Sequence, residues 1–234
     1  MDNLGELRRA VQSDLTVGDE STLYSPTTID LAINRAYRKA GSLFPWPELA
    51  DSKKTTTQAS QEYYDYPSTW RSNSIWKLEV DGERYGEDPD GSPLSFDDYL
   101  NWQEDYPDST DKKWANQWRR FFFSPIPTVA DLVICIWGFM VTETLVEEAD
   151  VTIFSYSMTE CNEAIVLEAV AILKAKGEQE KAGEFRSLEA KQILAVAWGK
   201  IAREQSKYEK IYPSFDVPNF FGPTQDGTDM TGRF

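Results

Sequence analysis

Histidine is absent from this chain of 234 residues. Its absence excludes Ser–His–Asp and Cys–His nucleophilic catalysis, and it excludes every metal site that needs an imidazole ligand. Cysteine is scarce as well, since Cys135 and Cys161 are the only two. Two cysteines cannot form a four-cysteine metal site or a framework of several disulfides. We therefore expect two reduced, buried thiols in a protein made in a reducing cytoplasm, with neither a metal nor a cofactor.

Basic residues are few, because 24 lysines and arginines stand against 39 acidic residues, for a formal net charge of −15. No run of basic residues is longer than two, whereas a protein that grips nucleic acid normally presents a basic patch to the phosphates. We therefore expect no tight binding to DNA. The acidic excess is equally compatible with a simple role in keeping the protein soluble.

Long apolar runs are missing too. No run reaches the roughly 20 residues that a membrane-spanning helix needs, and the N-terminal residues lack the apolar core of a signal peptide. We expect a protein that is neither inserted in a membrane nor exported by these routes. The length suggests one domain, or at most two, with a core large enough to need no disulfide or metal.

The residues that are present indicate helices near both ends of the chain. The first helix is predicted from apolar residues at spacings of three and four, namely Leu4, Leu7, Val11 and Leu15. The second begins at Pro26, with Ser25 as its N-cap, and ends near Gly41. Residues 159–176 are apolar almost all round, which predicts a central, buried helix. A longer, more charged helix follows over 178–207. Its apolar face consists of Ala190, Leu194, Ala197, Trp198 and Ile201.

The part of the chain between the second and third of these helices is rich in β-prone residues. Asp81-Gly82 follows one such segment and is a strong signal for a hairpin turn. Residues 117–124 and 132–141 are predicted strands, and the latter is apolar throughout, which is typical of a strand buried on both faces. Residues 95–105 predict a short helix with Ser95 as its N-cap.

An acidic stretch runs from Glu79 to Asp111, with 12 acidic residues and a single base, Arg84. We expect a solvated, loop-rich face there. The stretch includes residues 88–91 (DPDG), which are similar to a calcium loop but fail the EF-hand pattern in the position of the glycine and in the missing twelfth ligand. A plain Pro/Asp/Gly turn explains this segment better.

Tryptophan is abundant, and six of the eight tryptophans lie before residue 120. Tryptophans line sugar-binding platforms, and pairs of carboxylates act in glycoside hydrolases. A carbohydrate-binding module or a hydrolase that uses Trp102 and Glu104 is therefore one alternative. Core filling explains the tryptophans as well, and carboxylates adjacent in sequence do not face each other across a cleft. We expect no catalytic residues.

The last 24 residues, from Ile211, contain prolines and glycines but no helical or strand period. Four phenylalanines interrupt this segment, and a purely solvated tail does not usually carry so many. We expect an extended C-terminal tail in which Phe215, Phe220 and Phe221 bind a partner protein.

Four short patterns follow one another along the chain. They are residues 28–37 (TIDLAINRAY), residues 66–71 (YPSTWR) before the predicted hairpin, residues 122–128 (FFSPIPT) before an apolar strand, and the acidic segment 150–154 before helix 160–176. Their order resembles that in the head–tail connector proteins (adaptor, or head-completion, proteins) of tailed bacteriophages. The resemblance covers about residues 25–207.

The resemblance implies an α+β fold that is mainly α, a helical bundle with a β-rich insertion between its second and third helices, to which the sequence adds the extended C-terminal tail. The long acidic stretch and the aromatic tail depart from the compact members of the family. The expected parts of the chain are an N-terminal helix pair (1–50), a β-rich insertion with an acidic loop (51–158), the long C-terminal helices of the bundle (159–210) and the tail (211–234).

The resemblance also implies a structural virion protein without catalysis. Such a protein forms a ring, usually of twelve copies, that joins the portal protein to a tail or nozzle protein and continues the DNA exit channel. DNA passes through this ring without tight binding. The protein is synthesised in the host bacterial cytoplasm and lies in the virion at the head–tail junction. Another tail or baseplate component, with a ring of three or six copies, is the nearer alternative.

Overall fold

The computed structural model describes residues 3–16, 24–86, 91–176 and 180–205. The helices are α1 (Leu4–Thr16), α2 (Pro26–Leu43), α3 (Phe96–Asp105), α4 (Glu160–Lys176) and α5 (Glu180–Gln205). The strands are β1 (Ala50–Thr56), β2 (Tyr63–Asp65), β3 (Lys77–Val80), β4 (Glu83–Tyr85), β5 (Lys113–Gln117), β6 (Arg120–Ser124) and β7 (Val133–Phe139). One turn of 3₁₀ helix, Pro47–Leu49, precedes β1.

Helix α4 lies at the centre of the helical part and packs against α1, α2 and α5. Its predicted central position is confirmed by the near-complete burial of Ala164, Ile165, Ala169, Val170 and Leu173. A fully buried leucine or isoleucine contributes about 1.5–3 kcal/mol, so α4 supplies much of the free energy that holds the bundle together. In the described part of the chain, neither α4 nor any other helix is long and apolar enough to cross a membrane.

Helices α1 and α2 present to α4 the faces that the sequence predicts. All four apolar residues of the α1 stripe are at most 1 % exposed. Ser25 is the N-cap of α2, because its hydroxyl accepts a 3.3 Å hydrogen bond from the backbone N–H of Thr28. Pro26 follows it in the first turn, where a helix needs no backbone donor. The predicted apolar face of α1 and the predicted start of α2 are therefore both confirmed.

An aromatic cluster joins the end of α2 to α5. Phe44 stacks on Trp198, with the ring centroids 5.5 Å apart and the ring planes at 7°. Trp46 meets Phe154 edge to face, with the centroids 5.0 Å apart, and its indole N–H donates to the carbonyl of Ala40. The predicted apolar face of α5, which includes Trp198, is therefore buried against this cluster and the bundle.

The strands form two antiparallel sheets, one in the order β1–β7–β3–β4 and one in the order β2–β6–β5. The β3–β4 hairpin turns at Asp81-Gly82 as predicted, and both residues have a positive φ, 52° and 79°. In the second sheet, Tyr64 stacks on Phe121 and Phe123, with centroid distances of 5.6 and 5.4 Å. These rings belong to a second hydrophobic cluster, distinct from that of the helices.

Helix α3 packs on the second sheet. Its predicted start is confirmed, because the hydroxyl of Ser95 accepts a 3.1 Å hydrogen bond from the backbone N–H of Asp98. Phe96 and Tyr99 contact the ring of Phe122, with centroid distances of 4.9 and 6.5 Å. Since side chains alternate along a strand, Phe122 lies on the face of β6 opposite to the second hydrophobic cluster.

The prediction of a mainly α fold is wrong. The described residues are 45 % helix and 21 % strand, in five helices and two sheets, which is an α+β fold. The physical reason is that the β part has a hydrophobic core of its own, in which Leu78, Trp70 and Trp114 are fully buried. The strands do follow α2 and precede α4 as expected, although α3 lies among them.

Two strand predictions are also corrected by the structure. Residues 117–124 are not one strand, because the chain reverses at Trp118 and Arg119 between β5 and β6. Residues 132–141 contain β7, but this strand is not buried on both faces. Val133 is 43 % exposed, and Trp137 is half-buried beneath the ammonium group of Lys77, which lies 4.1 Å from the ring centroid. A charged side chain therefore covers part of the outer face of the first sheet.

Candidate partner-binding surfaces

The three residues predicted to bind a partner, Phe215, Phe220 and Phe221, lie outside the residues that the structure describes. Their role stays a prediction. Helix α5 ends at Gln205, so these phenylalanines follow it in the chain by 10 to 16 residues. Two surfaces among the described residues have the chemistry of partner binding, and one of them lies on α5.

The first surface is a groove of about 670 Å³ along the exposed side of α5, here called the α5 groove. Its lining residues are Leu188, Lys191, Gln192, Ala195, Val196, Gly199, Lys200 and Arg203. Val196 is 62 % exposed and Leu188 is 55 % exposed. A Cβ added at Gly199 would meet no atom within 4 Å among the described residues. The apolar centre of the groove is therefore accessible.

The charged side chains that line the described part of the α5 groove are basic, in contrast to the acidic excess of the chain as a whole. They are Lys191, Lys200 and Arg203. The ammonium group of Lys200 lies 2.7 Å from a carboxylate oxygen of Glu160. This hydrogen bond raises the pKa of Lys200 and lowers that of Glu160. The groove thus suits an apolar segment that carries negative charge.

The second surface is the tip of the β5–β6 hairpin, where Trp118 is 76 % exposed. Trp118 has φ 57°, a conformation that favours glycine at the first position of a two-residue turn. The backbone N–H of Asn73 donates to the Trp118 carbonyl, and that of Tyr66 donates to the Arg119 carbonyl, both at 2.9 Å. The guanidinium of Arg119 donates to two further backbone carbonyls in the same neighbourhood. The turn is therefore held firmly from several sides.

The tip of this hairpin presents an exposed indole on a rigid support. Tryptophan and arginine are the side chains that most often dominate the energy of protein–protein binding. A non-glycine residue at positive φ persists where its surroundings hold it, and such residues cluster at functional sites. Sequence reasoning missed Trp118, because the turn lacks the Asn-Gly or Asp-Gly signal that marks a hairpin.

Arg71, from the YPSTWR pattern, is a half-buried residue that joins the helices to the first sheet. Its guanidinium donates to the carbonyls of Gly41 and Phe44 at the end of α2, and to the carbonyl of Met140 after β7. Burial lowers the pKa of Arg71 to about 10. A cation at the C-terminal end of a helix also suits the helix dipole. This part of the resemblance therefore reflects the fold, not a binding surface.

The carboxylates and tryptophans considered for a hydrolase do not form one site. Glu104 and Asp105 are exposed in the last turn of α3, while Trp102 contacts Tyr99 with the ring centroids 6.3 Å apart. Other tryptophans fill the core, and the fully buried ones are Trp46, Trp70 and Trp114. Within the described ranges, no group of three or more His, Cys, Asp or Glu residues could hold a metal ion. Three of the four residues 88–91 lie outside those ranges.

The two cysteines are free, but only one of them is buried as predicted. Cys161 of α4 is fully buried, and burial raises the pKa of its thiol to about 12. Cys135 of β7 is half-buried, so its prediction as a buried thiol is wrong. Because the thiolate is the reactive form, the raised pKa makes Cys161 inert at neutral pH.

The described residues combine a closely packed core with exposed apolar surfaces, as expected for a structural protein that works in an assembly. The sequence of residues 2–209 matches the SU10 adaptor protein family, and the chain belongs to that family. No individual curated protein matches it. This membership confirms the resemblance to the bacteriophage head–tail connector proteins. The chain is therefore a bacteriophage structural adaptor protein.

Proposed function

We propose that this adaptor forms a ring of twelve copies that joins the portal protein to a tail or nozzle protein and continues the DNA exit channel. The observation that carries the proposal is the family match over residues 2–209. An adaptor family implies a virion protein at the head–tail junction that assembles with both neighbours. The ring supports assembly and the passage of DNA, and it performs no catalysis.

The charge of the chain supports the passage of DNA. A protein with a net charge of −15 lacks the excess of cations that would bind phosphates through the release of counterions. On α3, Asp97, Asp98, Glu104 and Asp105 are all exposed. A ring of such subunits repels the duplex and lets it slide.

In this proposal, the subunit keeps the organisation expected from the sequence. The parts are the helix pair (1–50), the β-rich part with the acidic stretch (51–158), the C-terminal helices (159–210) and the tail (211–234). Phe215, Phe220 and Phe221 act as anchors that bind the portal or a neighbouring copy, because the burial of aromatic rings on a partner offsets the entropy that a segment loses when it becomes ordered.

Mass photometry of the purified protein, alone and mixed with candidate portal rings, tests the proposal. We expect about twelve copies to add to each portal ring as one closed ring, which a head-to-tail interface forms when its rotation closes. Addition of three or six copies would contradict the ring number and favour another tail or baseplate position. A protein that binds no portal ring would overturn the adaptor ring itself.

The anchors have their own test within the same measurement. Replacement of Phe215, Phe220 and Phe221 by serine should abolish addition to the portal while the subunit stays folded, as its circular dichroism shows. The matched control replaces Tyr156, which is 89 % exposed, by serine and should assemble normally. Normal assembly of the triple variant would show that the phenylalanines are not anchors.

A further inference from the structure

We infer that the C-terminal segment, residues 206–234, lies in the α5 groove of its own subunit before assembly. This inference concerns the free subunit and goes beyond the proposed function. It gives the tail a binding site within the chain, from which a partner then has to displace it.

The α5 groove presents an apolar helix face that no described residue covers at its centre. The opposite face of α5 already packs in the core through Ala190, Leu194 and Trp198. The groove side leaves Leu188 and Val196 more than half exposed. A protein that exists free in solution rarely exposes a continuous apolar patch without a partner for it.

The tail is long enough to reach this face from the end of α5. Val196 and Leu188 precede Gln205 by 9 and 17 residues, and 17 residues of helix span about 25 Å. The 10 residues from Gln205 to Phe215 extend over roughly 33 Å. The tail can therefore turn back along α5 and place its phenylalanines over Val196 and Leu188.

The charges of the aromatic part of the tail, residues 211–229, are complementary to those of the groove. This part contains three aspartates and no lysine or arginine, and the basic residues of the tail, Lys207, Lys210 and Arg233, lie on either side of it. Among the described residues, the charged side chains that line the α5 groove are Lys191, Lys200 and Arg203, of which Lys200 also pairs with Glu160. The segment therefore combines apolar rings with negative charge, which is the combination that the groove suits.

The adjoining surface limits the site to the C-terminal half of α5. A second groove, between α4 and α5, shares Leu188 and Lys191 with the α5 groove but also carries Glu168 and Glu184. Glu168 is paired with Lys39, but Glu184 adds a negative charge, so an acidic segment is less favoured there than among the basic residues of the α5 groove. The site lined by basic residues thus begins near Leu188 and runs towards Gln205, the end from which the tail emerges.

A second copy of the chain is the main competing occupant, because its acidic surface also complements the groove. The tail of the same subunit has the advantage that it is covalently linked to α5, which carries the groove. A segment tethered by a short flexible link has an effective concentration of about millimolar, far above that of a second copy in dilute solution. The segment of the same chain therefore occupies the groove first.

Chymotrypsin cleavage of the full-length chain after Phe220 and Phe221, followed by mass spectrometry, tests this inference. A docked tail is cut only when it opens, so its cleavage should be at least about tenfold slower than that of a free peptide with the sequence of residues 206–234. Val196→Asp and Leu188→Asp should each restore a rate close to that of the peptide. Val146→Asp is the matched control, because Val146 is 73 % exposed and lies outside the α5 groove. The tail of this variant should be cut as slowly as that of the wild type.

Each outcome decides the question. Cleavage of the wild-type tail as fast as the free peptide overturns the inference. A slow rate that neither groove variant changes shows that the tail is bound at another site, and it also overturns the inference. Protection that grows with protein concentration assigns the groove to a second copy. No portal is present in this assay, so its result is independent of the test of the proposed function.

Discussion

The side-chain amide of Asn34 pairs with both backbone groups of Leu145, 111 residues later in the chain. Its N–H₂ donates to the Leu145 carbonyl at 2.9 Å, and its oxygen accepts from the Leu145 N–H at 2.8 Å. Asn34 lies in α2 within the TIDLAINRAY pattern and is 5 % exposed. The pair fixes the chain between β7 and α4 against the helices, which explains why an asparagine stands on a buried helix face.

Replacement of Asn34 by alanine should lower the free energy of unfolding by about 1–3 kcal/mol, because it leaves two buried backbone groups unsatisfied. Urea denaturation measures this loss. Asn101→Ala, on the exposed side of α3, is the control and should change stability by less than about 0.5 kcal/mol. Equal effects of the two substitutions would contradict the structural role of Asn34.

The turn that precedes α4 depends on a carboxylate. Asp150 accepts hydrogen bonds from the backbone N–H groups of Val146 and Glu147 at 2.6 and 2.8 Å, and these bonds lower its pKa. The same turn holds the start of α1, since the N–H groups of Leu4 and Gly5 donate to its carbonyls. The ionised carboxylate therefore organises two elements at once.

The pH dependence of this contribution follows from the lowered pKa. The stabilisation by ionised Asp150 is fully present above the pKa of the unfolded chain, near 3.8. It disappears as the pH falls through the lower pKa that Asp150 has in the folded protein. We expect the melting temperature of Asp150→Asn to fall less than that of the wild type between pH 6 and pH 3. Parallel curves over that range would show that ionised Asp150 does not contribute.

The sequence predicted the elements whose signals are local. The spacing of Leu4, Leu7, Val11 and Leu15, the caps Ser25 and Ser95, and the Asp81-Gly82 turn each depend on neighbouring residues, and the structure confirms them. The family resemblance, which rests on the order of such segments, is confirmed for the same reason.

Features that depend on distant contacts could not be read from the sequence. The β5–β6 turn places a tryptophan where glycine is expected, and bonds from Tyr66 and Asn73 hold it there. The extent of the β core was underestimated, because the pairing of strands into a sheet, and with it the set of side chains that the sheet buries, depends on contacts between distant residues. The α5 groove was also missed, because an apolar residue on a charged helix does not reveal which side is covered.

A matched pair of glycines tests the packing of the first sheet. A Cβ added at Gly138 of β7 would lie 2.6 Å from the ring of Trp70, which is fully buried. Gly138→Ala should therefore cost about 1–3 kcal/mol of stability through overpacking. Gly199→Ala, in the open helix face of α5, should instead gain up to about 1 kcal/mol. Thermal denaturation of both variants measures the two effects, and a stabilising Gly138→Ala would contradict the packing described here.

At Trp118, we expect the replacement of a large aromatic residue by glycine to increase the stability of the protein. A non-glycine residue in the left-handed region costs about 1–2 kcal/mol, while glycine costs about 0.5–1 kcal/mol in flexibility. Because Trp118 is 76 % exposed, its replacement forfeits little burial. We expect Trp118→Gly to raise the free energy of unfolding by up to about 1 kcal/mol, measured by urea denaturation.

Trp118→Ala is the control for this prediction, since alanine keeps the strained φ and should bring no gain. A gain in both variants would mean that the indole itself is unfavourable on the surface, and a loss in Trp118→Gly would mean that the indole packs on its neighbours. A gain confined to glycine would establish that the fold retains a strained, exposed tryptophan at a cost in stability. Such a cost is expected where a side chain serves a partner and not the subunit that carries it.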